Sequence, residues 1–248
     1  MQKQTFGNIT LYCGDCYDVF PLIERESIDC LLTDPPYSSG GLNIASRQKA
    51  PGDKYVDNRT NAAHNVNFTG DNRDSRSWIM WCSLWLSQCH DLLRDGGYAM
   101  MFSDWRQLPA ATDSFQGGGL LWRGIIPWDK TLSSRAPHTG YYRHQCEYII
   151  WGSKNKLTNF SFGGPWPGLY TCRVKPSEKL HMTGKPVELL QQLLKPVKKG
   201  GLVFDPFMGS GSTAIAAINR KLSFIGVEKT QYYFDVTCQR VENAMKDA

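Results

Sequence analysis

The chain lacks any apolar run approaching the roughly 20 residues needed to cross a bilayer, and its start, Met1-Gln2-Lys3-Gln4, lacks the apolar segment of a secretory leader. Both absences point to a cytoplasmic protein with no membrane partner. A second Cys-x-x-Cys pair is also missing. Cys13-Gly14-Asp15-Cys16 stands alone, because Cys82 and Cys89 are too far apart to form one, so no metal site is expected. The 8 cysteines are scattered through apolar segments and read as buried thiols rather than disulfides. Internal repeats and low-complexity tracts are absent. Charge of one sign is not strongly in excess: a net charge of +5 permits a polyanionic partner without demanding one. The 248 residues suffice for one large domain spanning 1–248.

What is present centres on Asp34-Pro35-Pro36-Tyr37. It follows Ile28-Asp29-Cys30-Leu31-Leu32-Thr33, a short apolar run of the kind that forms a buried strand. Asp34 then falls at the carboxyl end of that strand, the edge where open α/β sheets bind ligands. Each Pro fixes its own φ and has no N–H, and a residue before Pro is pushed out of the helical region. The corner is therefore stiff, with a carboxylate, an unpaired carbonyl and an aromatic ring. It suits a planar, weakly nucleophilic amine, whose two N–H protons the carboxylate and a Pro carbonyl accept while Tyr37 stacks on the ring. The competing reading is a surface turn or a polyproline ligand.

In order, Ile9–Cys13 reads as a strand ending in Gly14-Asp15, and Tyr17–Glu24 as a short helix. Ser38–Ser77 is rich in Gly, Asn, Asp and Arg, shows no clean period, and reads as a mobile loop. Ser77 is placed to cap a helix from Trp78 whose apolar positions are Ile79, Cys82, Leu86, Cys89 and Leu93, with Asp95-Gly96-Gly97 as its stop. Further strands are expected at Tyr98–Phe102, Gly124–Trp128, Cys146–Trp151, Leu202–Phe204 and Ser223–Val227, with helices at Arg106–Phe115, Val187–Leu194, Thr213–Asn219 and the C-terminus. Strands alternating with helices argue for an α/β sheet, mostly parallel and covered on both faces. Between Lys130 and Lys185 nine basic residues face only Glu147 and Glu178, and Phe160, Phe162, Trp166 and Tyr170 sit among Gly and Pro. Cations that neutralise phosphates beside aromatics that stack on bases make a nucleic-acid surface, or else an ordinary Gly/Pro-rich loop.

A second corner follows Leu202-Val203-Phe204: Asp205-Pro206-Phe207-Met208-Gly209-Ser210-Gly211-Ser212-Thr213-Ala214. Its glycines let the backbone approach a ligand, and the helix that follows favours a negative group at its N-terminus. Glu228 ends the next strand, where a carboxylate takes the hydroxyls of a ribose. The unit reads as a site for an adenosine-type cofactor. Gly209-x-Gly211-x-x-Ala214 also satisfies the dinucleotide fingerprint, so an NAD-binding oxidoreductase is a rival. Against it, only one helix follows Glu228, and the Asp34 corner has no evident role in hydride transfer.

Together the two corners resemble the amino-methyltransferases of DNA, which use S-adenosylmethionine, and their order resembles the circularly permuted beta class of that family. The resemblance implies a Rossmann-like methyltransferase fold, with a mostly parallel seven-stranded sheet, helices on both faces and the Leu202–Phe204 and Ile28–Thr33 strands side by side. It implies a catalytic corner of Asp34, Pro35, Pro36 and Tyr37, with Asp34 also beside the cofactor. Gly14-Asp15, with Cys16 next to it, looks like the family's adenine-ring contact. His181-Met182-Thr183-Gly184-Lys185-Pro186 looks like the segment holding the methionine end, through Thr183 and Lys185, although the family usually has Pro where Met182 stands. Asp205, Phe207, Gly209, Ser210, Gly211, Thr213 and Glu228 complete the implied S-adenosylmethionine site.

The implied substrate is double-stranded DNA with the target base flipped out of the stack. No Pro is followed by Cys, so the nucleophile of cytosine carbon-5 methylation is absent. Within the family, Asp at the first corner position goes mostly with adenine N6 and Ser with cytosine N4; adenine is expected, cytosine N4 second. The recognition segment, 152–180, is short, and the 38–77 loop is expected to share its task, with Arg47, Arg135 and Arg143 as DNA contacts. Such proteins often dimerise and accompany a restriction enzyme. A catalytically dead nucleic-acid-binding module is disfavoured because both corners are intact.

Overall fold

The computed structural model describes residues 1–37, 73–132, 134, 138–157, 163–173 and 184–246. The 38–72 part of the expected mobile loop, all of 174–183 with the His181–Thr183 motif, Phe160, Phe162, Arg47 and Arg135 lie outside the described residues. The strands are β1 (Gln2–Phe6), β2 (Ile9–Cys13), β3 (Ile28–Thr33), β4 (Leu93–Ser103), β5 (Leu121–Asp129), β6 (Cys146–Ser153), β7 (Tyr170–Thr171), β8 (Leu202–Asp205) and β9 (Ser223–Glu228). The helices are α1 (Cys16–Val19), α2 (Ser75–Leu92), α3 (Leu108–Gly117), α4 (Val187–Leu193), α5 (Ser212–Asn219) and α6 (Gln231–Lys246), with a 3-10 turn at Phe20–Leu22. No described helix is long and apolar enough to cross a membrane.

All nine strands form one sheet in the order β1-β2-β9-β8-β3-β4-β6-β5-β7. The five strands from β2 to β4 are mutually parallel, while β6 runs antiparallel to both β4 and β5. Seven strands make the expected frame, and β1 and β7 extend it at its edges. The sequence hid β1 because its side chains are almost all exposed; it pairs with β2 through a tight turn at Gly7. Alternate residues of the central strands point to opposite faces, so apolar runs feed two cores. Cys30, Leu32, Met100 and Phe102 pack with α4, α5 and α6. Leu31, Ala99 and Met101 pack with α2 and α3. That burial on both faces explains why β3, β4 and β8 read as continuous apolar segments.

The expected Tyr17–Glu24 helix is cut to α1 and the 3-10 turn, because Pro21 has no N–H to carry α1 on. Three further boundaries move for a local reason. Helix α2 starts at Ser75 rather than Trp78, because Asp74 Oδ1 accepts from both Arg76 N and Ser77 N at 3.0 Å and so caps it. Asp95-Gly96-Gly97 does not stop that helix. It lies within β4, where Ile28 pairs with Leu93 and Cys30 with Tyr98, so four residues bulge against Asp29 alone. Gly96 takes φ +73° there. Helix α3 begins at Leu108, later than Arg106, because Asp104 Oδ1 accepts from Arg106 N and Gln107 N at 2.9 Å and holds a turn first.

Candidate active site

Strands β8 and β3 are neighbours, and the chain leaves them in opposite directions across the sheet, β8 toward β9 and β3 toward β4. Ligands bind at such a switch point, outside the carboxyl ends of the strands. Both corners named from the sequence lie there. Thr33, the last residue of β3, donates to Asp205 Oδ1 at 2.8 Å, and Thr213 of α5 donates to Asp205 Oδ2 at 2.7 Å. Phe207 N adds a bond to Asp205 Oδ1 at 3.1 Å. Asp205 is 2% exposed, and burial pushes its carboxyl up to about 7 although these three bonds pull the other way. It ties the two corners together.

The Asp34 corner is held by its carbonyls. Trp78 Nε1 donates to the Pro36 carbonyl at 2.7 Å and Gln107 Nε2 to the Tyr37 carbonyl at 2.7 Å. Among the described residues no hydrogen bond reaches the Pro35 carbonyl. Asp34 Oδ1 accepts from the Tyr37 hydroxyl, and Asp34 Oδ2 lies 2.5 Å from Lys185 Nζ. Burial raises the Asp34 carboxyl above its ordinary range, partly offset by Lys185 and Tyr37. Lys185 is 7% exposed; burial alone would lower its ammonium, but Asp34 and Glu147 outweigh it and hold it charged.

The glycine loop turns on positive-φ backbone, +53° at Gly209 and +83° at Gly211. A Cβ on Gly211 would lie 2.5 Å from Thr237 Cγ2, so the loop is packed directly on α6. From that helix Thr237 donates to the Gly209 carbonyl at 2.9 Å, and Arg240 donates to the Ser210 carbonyl. Glu228 Oε2 accepts from Gly209 N at 3.1 Å and Oε1 from Thr230 N at 2.7 Å. Each oxygen keeps a lone pair for a ligand hydroxyl. Asp15 caps α1 by accepting from Tyr17 N at 3.1 Å and pairs with Lys229 at 3.0 Å; Gly14 N donates to the Glu228 carbonyl at 3.0 Å. Asp15 and Glu228 thus lie at adjacent strand ends. Cys16 is buried and its thiol is pushed up to about 12 by burial and Asp15.

Between the corners lies a cleft open to solvent, with about 440 Å³ of empty space, lined by Asp34, Lys185, Phe207, Gly209, Ser210 and Thr213 among others. Charges of both signs, hydroxyls, glycine backbone and an aromatic ring suit a zwitterionic nucleoside such as S-adenosylmethionine. The structure therefore gathers Asp34, Lys185, Asp205, Phe207, Gly209, Ser210 and Thr213 around one cavity, with Gly211 behind the loop and Glu228 and Asp15 at the adjoining strand ends. Arg143 lies elsewhere, exposed and donating to the Ser134 carbonyl at 2.8 Å. Sequence reasoning missed Thr33, Trp78 and Gln107 as supports of the corner, and Arg240 beneath the loop. It also missed Glu147, whose carboxylate lies 3.5 Å from Lys185 Nζ.

An amine-shaped corner and a nucleoside-type glycine loop meeting at the switch point define a Rossmann-like methyltransferase. A family model described as DNA methylase matches residues 28–171 and 162–239. The chain belongs to that family, the S-adenosylmethionine-dependent N6/N4 amino-methyltransferases of DNA. The type II methyltransferase M.HinfI of Haemophilus influenzae is 28% identical over 271 residues, covering 97% of this chain and 71% of that one. The type II methyltransferase M2.DpnII of Streptococcus pneumoniae is 24% identical over 254 residues, covering 95% and 90%. Among solved structures, the M1.HpyAVI–SAM complex has a TM-score of 0.65 at 19% identity, covering 94% of this chain and 99% of that one. The cytosine-N4-specific PvuII DNA methyltransferase has a TM-score of 0.69 at 14% identity, covering 98% and 93%. At such identities the structural likeness shows the fold.

Proposed function

We propose that the protein methylates the exocyclic N6 amine of a flipped-out adenine in double-stranded DNA. The observation that carries this reading is the Thr33–Asp205 bond, which brings Asp34 to the rim of the cavity formed by the glycine loop. S-adenosylmethionine, when bound, supplies an electrophilic methyl group. The chain supplies position. Glu228 and Asp15 hold the adenosine end, Gly209 and Ser210 lie along the middle, and Thr183 and Lys185 serve the methionine end. Asp34 Oδ1 and the Pro35 carbonyl accept the two amine protons, which withdraws the nitrogen lone pair from the ring and aims it outward.

The Tyr37 hydroxyl occupies Asp34 Oδ1 in the structure, so the amine must displace it. Once displaced, the Tyr37 ring is available to stack on the base, and Asp34 takes the proton that the methylated amine must release. Positioning and charge complementarity account for most of the acceleration. Asp34 at the first corner position supports adenine over cytosine. The type II names of the relatives support a role beside a cognate restriction enzyme.

The test is transfer of labelled methyl from S-adenosylmethionine to unmethylated DNA, with nucleoside analysis of the product. N6-methyladenine establishes the reading. N4-methylcytosine keeps the reaction and overturns the choice of base, and no incorporation overturns both. Asp34→Ala should lower transfer at least about 100-fold while cofactor affinity stays within a few-fold; retained activity removes Asp34 from its role.

A further inference from the structure

Glu147 is the second residue of β6, which runs antiparallel to β4, so it enters the active edge from the strand's amino end. Its Oε1 lies 3.0 Å from Lys130 Nζ, just beyond β5, and its Oε2 lies 3.5 Å from Lys185 Nζ. Lys185 Nζ in turn lies 2.5 Å from Asp34 Oδ2. Four charges of alternating sign thus run from Lys130 through Glu147 and Lys185 to Asp34, drawn from four separate segments of the chain. The Tyr37 and Phe102 rings close on the Lys185 ammonium at 5.5 and 5.2 Å from their centroids.

We propose that Glu147 is a positioning residue for methyl transfer, acting through Lys185 to set the direction and the charge with which Asp34 meets the amine. The inference rests on Asp34 as the acceptor of the amine protons. An ammonium is a point charge with no fixed direction. Held by Asp34 alone it would swing across both carboxylate oxygens and neutralise them. Glu147 draws it to the Oδ2 side, and Lys130 holds Glu147 in turn. Oδ1 then stays open to the amine once the Tyr37 hydroxyl has moved. The negative charge of Glu147 also raises the Asp34 carboxyl, which makes the ionised Asp34 a stronger acceptor for the amine protons.

A buried ion network that merely supports the fold is the competing explanation, and pH dependence separates the two. Among the described residues, the groups facing Asp34 are Lys185 from the segment before α4, Tyr37 from its own corner, Glu147 from β6 and Asp205 from β8. Lys130 faces Glu147, and Asp104, beyond β4, faces Tyr37. The Glu147 charge raises both Asp34 and Lys185. Transfer needs Asp34 ionised and Lys185 protonated, so removing that charge moves both limbs of the kcat profile to lower pH. Removing the positive charge of Lys130 moves them to higher pH.

The experiment measures kcat and KM of the full chain by labelled-methyl transfer across pH. Glu147→Gln should lower kcat about 10- to 100-fold, leave the KM for S-adenosylmethionine within about threefold, and shift both limbs to acid. Glu147→Asp should recover part of the loss, and Lys130→Met should shift the limbs to alkali. A Glu147→Gln kcat within about twofold of wild type, or a loss with unmoved limbs in a folded variant, overturns the proposal. Should Glu147→Gln fail to fold, Lys130→Met, on a side chain 20% exposed, decides it, and unmoved limbs refute it. A wild-type protein that transfers no methyl to DNA overturns the functional reading and this inference with it. Wild-type transfer abolished by Asp34→Ala but untouched by Glu147→Gln overturns this inference alone.

Discussion

Asp205 carries the sharpest thermodynamic consequence of the architecture. Its carboxyl rises from an ordinary 3.8 to about 7 because the residue is almost fully buried, while Thr33, Thr213 and Phe207 N recover only part of the cost of its charge. The folded protein therefore binds this proton more tightly than the unfolded chain. Stability from Asp205 is highest below pH 4 and falls as pH rises, at about 1.4 kcal/mol per unit, until the folded group ionises near 7. The full penalty above that point is about 4 kcal/mol, as an upper value. Asp205→Asn removes the titration and keeps the shape. Its amide oxygen still accepts from Thr33 and Phe207 N, and its NH2 meets Thr213 Oγ1, which rotates to accept. Urea unfolding of both proteins from pH 5 to 8 isolates the effect of Asp205 together with its coupling to Asp34, because groups not coupled to it cancel in the difference. Asp205→Asn should gain on wild type by about 2–4 kcal/mol across that range, with near-identical circular dichroism. A flat difference would show that Asp205 ionises normally and would refute its role as a buried brace.

Gly211→Ala should destabilise by about 2–4 kcal/mol, adding left-handed strain at φ +83° to a Cβ 2.5 Å from Thr237 Cγ2; it should also weaken S-adenosylmethionine binding, read by calorimetry. Thr33→Val is nearly isosteric but deletes the bond to Asp205, so a loss of about 1–2 kcal/mol in urea unfolding is expected, and no loss would remove the link between the corners. Alkylation followed by mass spectrometry should spare Cys30, Cys82 and Cys89, whose thiols are pushed far up by burial, and reach the partly exposed Cys146 and Cys172 first.

The two corners were legible in the sequence because each is a local backbone demand. Pro35-Pro36 must be extended, Gly209 and Gly211 must take positive φ, and apolar runs buried on both faces announce the strands ahead of them. Even the pairing of β3 with β8 followed from the resemblance those corners carry. The bulge at 94–97 was hidden for a related reason: Asp-Gly-Gly stops a helix in most settings, and only the register of β4 against β3 shows it inside a strand. The charge network is a different case. One rule of open sheets puts ligand-binding acids at the carboxyl ends of parallel strands, and Asp15, Asp34, Asp205 and Glu228 obey it. Glu147 escapes that rule because β6 is reversed, which puts the start of its strand at the edge where the other strands end. Lys130 stands next to it because Trp128 pairs with Glu147 and Lys130 N donates to the Gln145 carbonyl at 2.9 Å, a register no local pattern encodes. Where a strand such as β6 is reversed within the sheet, candidate acids therefore belong at that strand's beginning as well as at its neighbours' ends.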